Sequence, residues 1–158
     1  MKLSIGTAQF GFKYGICNKN GIVNKQEVKK IFEFCRKYKI NSIDTAQGYG
    51  RSHQVLGTIN LKNFLITTKI SNIKKSNNNR LEYYVNKRIE KILKDLNTKK
   101  LYALLIHDIS ELKGNFGKNF FNILQILKRK KKLKKIGVSV YKKKELDFII
   151  SNFNIDIV

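Results

Sequence analysis

The sequence contains no proline, no tryptophan, one methionine and two cysteines among its 158 residues. Cys17 and Cys35 stand alone, without CxxC or metal-type spacing, so neither a disulfide framework nor a cysteine metal centre is expected. Cys35 also falls on an apolar helical stripe, and both thiols read as reduced, structural groups of a cytoplasmic protein. No stretch approaches the roughly 20 apolar residues that a membrane helix needs. The opening residues, MKLSIG, are interrupted too soon for the apolar region of a secretion signal. No membrane partner is expected.

Acidic residues are scarce as well: 11 Asp and Glu face 33 Lys and Arg, a formal charge of +22. Such basicity ordinarily points to nucleic acid. Here the lysines spread along the whole chain and asparagine and isoleucine are abundant, a bias that, with proline and tryptophan absent, matches A/T-rich codons. Most of the charge is therefore read as composition, and nucleic acid is not the expected partner. One run stands apart, KRKKKLKK at 128–135. It reads as a solvated helix end whose cations complement the negative pole of the helix dipole, with an anion or nucleic-acid patch as the alternative.

What is present is ample apolar residue, 42% of the chain, enough for the core of a single domain over 1–158. Short apolar runs alternate with helical stripes from end to end. Strands are expected at Leu3–Gln9, Ile40–Thr45, Phe64–Lys69, Leu101–His107 and Ile136–Val140, with a sixth beginning at Ile155. Helices are expected over about 25–38, over Ser52–Ile59, over about 80–97, and around the stripes Phe120, Ile123, Leu124, Leu127 and Leu146, Ile149, Ile150, Phe153. Lys74–Asn79 reads as a loop. Strands apolar on both faces, each followed by an amphipathic helix, predict a parallel α/β sheet. Gly6, Gly11 and Gly15 lack the GxGxxG spacing of a doubly wound nucleotide fold. The expected architecture is α/β of the (β/α)8 TIM-barrel type, incomplete, with about five βα units and the start of strand six.

The polar residues support the barrel, in which chemistry gathers at the carboxyl ends of the strands. Asp44, Lys69 and His107 each close a strand, and Tyr49 lies in the loop SIDTAQGYGRS between Gly48 and Gly50. Alternation allows the three strand-end groups to share one face. Singly, each has an ordinary reading: a turn cap, a solvated lysine, a satisfied histidine, a surface tyrosine. Together they avoid the cost of an isolated buried charge. A free phenol ionises only near pH ~10, and an ammonium beside it favours release of its proton. Tyr49 as general acid, Lys69 as activating cation, Asp44 as its anchor and His107 as the group orienting a carbonyl would suit protonation of oxygen while hydride reaches carbon. A lyase or aldolase using Lys69 as Schiff-base nucleophile, and a non-catalytic basic fragment binding nucleic acid, are the rival readings.

These residues carry a resemblance. IDTAQGYGRSHQVLG resembles the DTAxxYGxSExxLG signature of the aldo-keto reductase family, LITTKI its strand-three lysine segment, LLIHD its strand-four histidine, KIGVSVY its fifth strand, and LSIGTAQFGFKYGICNKNG its first strand and loop. The resemblance spans the whole chain. It implies an oxidoreductase on a TIM barrel that uses NADP (as NADPH) to reduce a small-molecule carbonyl substrate, with Asp44, Tyr49, Lys69 and His107 catalytic. It assigns Gly6, Thr7, Asp44 and Ser139 to cofactor binding, and no metal. His53 stands where the signature has Glu, expected as a surface change of little effect. Val140 stands where many members have Asn. An eight-stranded barrel takes about 250 residues, so the chain is expected to be truncated or one fragment, weak or inactive alone unless self-association or a complementing fragment completes it.

Overall fold

The computed structural model describes residues 3–75 and 80–158, and residues 76–79 of the loop foreseen at 74–79 lie outside them. The element order is β1 (Ser4–Gly6), α1 (Ala8–Gly11), α2 (Lys25–Lys37), β2 (Ser42–Asp44), α3 (Ser52–Gly57), β3 (Leu65–Ile70), α4 (Leu81–Asp95), β4 (Leu101–Ile106), α5 (Gly114–Arg129), β5 (Leu133–Val138) and α6 (Lys143–Asn152). Short 3-10 turns at Ile73–Lys75 and Ile109–Leu112 follow β3 and β4. The former takes up the start of the expected loop.

The five strands form one parallel sheet in the order β1-β2-β3-β4-β5. Each strand is the neighbour of the next in sequence, with no point at which the order reverses. A doubly wound sheet has such a reversal, whereas a singly wound barrel adds each βα unit to the same side. The chain therefore forms five consecutive units of a (β/α)8-type barrel.

Helix α2 shows how the sequence makes these units. The Asn24 side chain accepts a hydrogen bond from the Glu27 N–H and caps the helix, while Val28, Phe32 and Cys35 bury one stripe. Ile66 and Ile70 of β3, Leu104 and Ile106 of β4, and Ile136 and Val138 of β5 meet such stripes in one core.

The other face of β3 differs from the expectation of strands apolar on both sides, whereas β4 meets it, with Ala103 and Leu105 buried on one face and Leu104 and Ile106 on the other. Along β3, Ile66, Thr68 and Ile70 are buried, while Leu65 is exposed and Thr67 and Lys69 are half-buried. The register aligns Gly6 with Asp44, Asp44 with Thr67, and Lys69 with Leu105, so one partly open face carries Gly6, Asp44, Thr67 and Lys69.

Other expectations need correction. Residues 8–11 turn into a helix instead of extending strand one to Gln9. Ile150 is 70% exposed, so the last stripe buries Ile149 alone. The sixth strand is a single bridge between Gly137 and Ile157. The basic run divides: Lys128 and Arg129 close α5, and Lys134 and Lys135 belong to β5.

Candidate active site

Asp44 ends β2 and Lys69 sits one residue from the end of β3, on neighbouring strands and the same face. The Lys69 ammonium donates to both carboxylate oxygens of Asp44, at 2.6 Å and 2.8 Å. It also reaches the Thr45 carbonyl at 3.3 Å and the Tyr49 hydroxyl at 3.5 Å. The Lys69 side chain is 13% exposed and that of Asp44 39%, so the pair stands at the boundary with solvent.

Backbone bonds fix the loop that brings Tyr49 there. Thr45 N–H donates to Thr67 O, Gln47 N–H to Lys69 O, and Tyr49 N–H to Ala46 O. The loop thus remains stitched to β3 before folding back over its rim. Gly50 adopts φ +54°, a conformation that strains other residues, whereas Gly48 has open space around it. Gly11 faces the same loop from α1: a Cβ there would lie 1.7 Å from the Tyr49 carbonyl oxygen.

Beneath Asp44 lies a closed set of hydroxyls. Thr7, Thr45 and Ser52 are fully buried. The Thr7 hydroxyl donates to the Asp44 carbonyl at 3.0 Å, Ser52 Oγ lies 3.0 Å from both Thr7 O and Thr7 Oγ1, and Thr45 Oγ1 lies 3.2 Å from Ser52 Oγ. This pins the ends of β1 and β2 to the first turn of α3. Thr7 is enclosed behind the rim, its hydroxyl bonded to the Asp44 carbonyl and to the Ser52 side chain.

The other expected residues occupy the rim without joining this contact. His107 follows β4, its N–H donating to Ile70 O at 2.9 Å, and its imidazole makes no hydrogen bond among the described residues. Ser139 follows β5, its N–H donating to Ile106 O at 2.9 Å. Gly6 ends β1 beside Asp44, exposed, with nothing within 4 Å of where a Cβ would be. Gln47 Oε1 is buried without a partner among the described residues.

His53 corrects an expectation. It is only 4% exposed, and its Nε2 lies 2.9 Å from Thr68 Oγ1 on the helix-facing side of β3. Burial lowers its pKa to about 4 against a smaller opposing pull from Asp95, so the ring is neutral near pH 7.

The sequence reading also missed an aromatic group around Tyr49. Phe12 lies 6.2 Å and Tyr14 6.5 Å from the Tyr49 ring, and 5.5 Å from each other. Their loop is held by Asn18, whose side chain donates to Tyr14 O and Gly21 O and accepts from the N–H groups of Asn20 and Gly21. The signal was the aromatic spacing in GFKYG, which shows no period of its own.

The sequence model described as the Aldo/keto reductase family matches residues 2–158. Among solved structures, the chain is similar to PA4992 of Pseudomonas aeruginosa, an aldo-keto reductase by its description, with a TM-score of 0.74 and 23% identity, covering 96% of this chain and 60% of that one. Aldo-keto reductase AKR11C1 from Bacillus halodurans, in its holo form, gives a TM-score of 0.74 at 16% identity, covering 99% and 52%. Bombyx mori aldo-keto reductase AKR2E4, solved in complex with NADP, gives 0.69 at 18% identity, covering 97% and 51%. Among curated proteins none matches. The chain thus spans between about half and three-fifths of these solved chains, and at such identities the structural likeness speaks for the fold.

Proposed function

Because the chain belongs to the aldo/keto reductase family, we propose that it provides the proton-donating centre of an NADPH-dependent reduction of a small aldehyde or ketone. The observation that carries this reading is Lys69, clasped by both oxygens of Asp44 and 3.5 Å from the Tyr49 hydroxyl.

The residues present suit one end of a nicotinamide cofactor. Gly6 leaves open space at the rim directly beside Asp44, where a flat ring can approach without meeting a side chain. Ser139 is the rim residue for its carboxamide. Thr7 holds the Asp44 backbone from behind the rim. The NADP bound in the silkworm relative supports the choice of cofactor.

When bound, the cofactor supplies hydride to the carbonyl carbon. Tyr49 gives its phenolic proton to the carbonyl oxygen as negative charge grows there. The phenolate left behind is stabilised by the Lys69 ammonium, which Asp44 keeps in place. In this reading His107, which follows β4 and has no side-chain hydrogen-bond partner among the described residues, donates to the same carbonyl oxygen and orients it. The Schiff-base reading is the weaker one, because an ammonium clasped by a carboxylate has no lone pair with which to attack.

The test is carbonyl-dependent consumption of NADPH across a panel of aldehydes, with Tyr49→Phe alongside. Loss of turnover in the variant, with its thermal unfolding unchanged, supports the reading. Equal turnover in the variant, or a Lys69 adduct trapped by borohydride, would overturn it.

A further inference from the structure

At the amino ends of β3, β4 and β5, opposite the candidate active site, lies a cleft of about 770 Å³. Leu65 begins β3 on this cleft and Lys69 stands at the rim, four residues on, so the two sites are about 13 Å apart along the strand. The cleft is lined by the loops that lead from each helix back into the sheet.

Its lining combines two kinds of surface. Leu65, 40% exposed, and the half-buried ring of Tyr102 offer apolar area. Lys62, Lys100, Lys131 and Lys134 surround them, and no Asp or Glu lines the cleft. A fifth lysine, Lys128, is already paired with Asp156 at 2.6 Å, whereas the other four have no ion-pair partner among the described residues. Lys134 and Lys135 converge on Tyr102, their ammonium groups 5.8 Å and 5.5 Å from the ring centroid. A dipole role at the end of α5 accounts for Lys128 and Arg129. It does not account for Lys62, Lys100 and Lys134, which come from three separate segments and line one cleft.

We propose that this cleft is a second binding site, for a small ligand joining a phosphate group to a flat ring, the chemistry of a nucleotide. The volume falls within the roughly 300–1,000 Å³ of small-molecule pockets. The unpaired lysines supply charge-assisted donors for the phosphate, and Tyr102 supplies a stacking face for the ring. The site is independent of the proposed reductase chemistry and uses none of its residues.

Titration of the 158-residue chain with ADP, read by NMR or calorimetry, tests this. Saturable one-to-one binding is expected, weakened about threefold by Lys100→Gln or Lys134→Gln and about tenfold by the double change. Tyr102→Leu is expected to weaken ADP about fivefold or more while leaving inorganic pyrophosphate unaffected. Tyr49→Phe and Lys13→Gln should leave ADP binding unchanged. Absence of saturable binding overturns the proposal, as does binding that Tyr102→Leu leaves intact. So does binding that falls equally with Lys13→Gln, which marks diffuse attraction to a basic surface.

Discussion

The imidazole Nε2 of His53 and the hydroxyl of Thr68 meet at 2.9 Å beneath α3, on the face of β3 turned away from Lys69. Neighbouring residues of one strand thus serve opposite sides of the sheet. Thr68 receives α3 and Lys69 receives Tyr49, which lies three residues before that helix.

The buried imidazole makes stability depend on pH. Its folded pKa is about 4, whereas in the unfolded chain it returns to about 6.5. Between those values the unfolded state holds more protons, so stability is complete above about 6.5 and is lost as pH falls toward 4. The full loss from this group is about 3 kcal/mol. Denaturant unfolding at pH 7 and pH 4.5 should show a larger drop for the native chain than for His53→Gln, which keeps a hydrogen-bonding side chain and cannot titrate in that range. Equal drops would show that the ring does not carry the effect.

Much of this was legible beforehand, and the failures have physical causes. Strand and helix order followed from periodicity because buried stripes such as Val28, Phe32 and Cys35 leave a pattern that tertiary contacts rarely reverse. Asp44, Lys69 and Tyr49 could be grouped because strand ends in a barrel converge. His53 was misjudged because one polar residue in SHQVLG carries no sign of its burial, which is set by Thr68 across the helix–sheet interface. The surroundings of Thr7 were equally illegible: a threonine at a strand end gives no hint whether its hydroxyl faces the rim or the backbone behind it. The grouping of Leu65, Thr67 and Lys69 on one face of β3 followed from alternation in LITTKI, whereas the partial exposure of that face, set by what packs over it, did not.

Close backbone contact at Gly11 makes a second prediction. An added methyl would collide with the Tyr49 carbonyl and come within 2.6 Å of the Ser52 nitrogen, both main-chain atoms that cannot rotate aside. Gly11→Ala is expected to cost about 1–3 kcal/mol or more in unfolding free energy through overpacking. It should also move the Tyr49 ring, seen as altered aromatic shifts of Phe12, Tyr14 and Tyr49. Unchanged stability and unchanged shifts would mean that α1 and the loop are not in contact as described.

Ser52 links three segments through one oxygen, so its removal should exceed the loss of a typical surface hydroxyl. Ser52→Ala removes the partner of the buried Thr45 hydroxyl and a donor to Thr7, whose hydroxyl keeps only the Asp44 carbonyl. A cost of about 1–3 kcal/mol is expected from the unsatisfied groups. Ser52→Thr, which keeps the oxygen, should recover part of it. A neutral Ser52→Ala in denaturant unfolding would rule out a stabilising role for the hydroxyl set.

Lys69 separates structure from chemistry most sharply. Asp44 is partly exposed, so the ion pair contributes little to folding: a double-mutant cycle of Lys69→Met and Asp44→Asn should give a coupling of about 1 kcal/mol or less. Catalytically the same lysine is asked for much more, because its charge stands 3.5 Å from the oxygen that must release a proton. Lys69→Met is therefore expected to lower kcat of the proposed reductase by about 10²–10⁴ while KM for the carbonyl changes little, the pattern of an interaction made in the transition state. Asp44→Asn should lower kcat less, since it loosens the cation without removing it. A rise in KM with kcat preserved would make Lys69 a binding residue, and a large folding defect in both variants would make the pair structural.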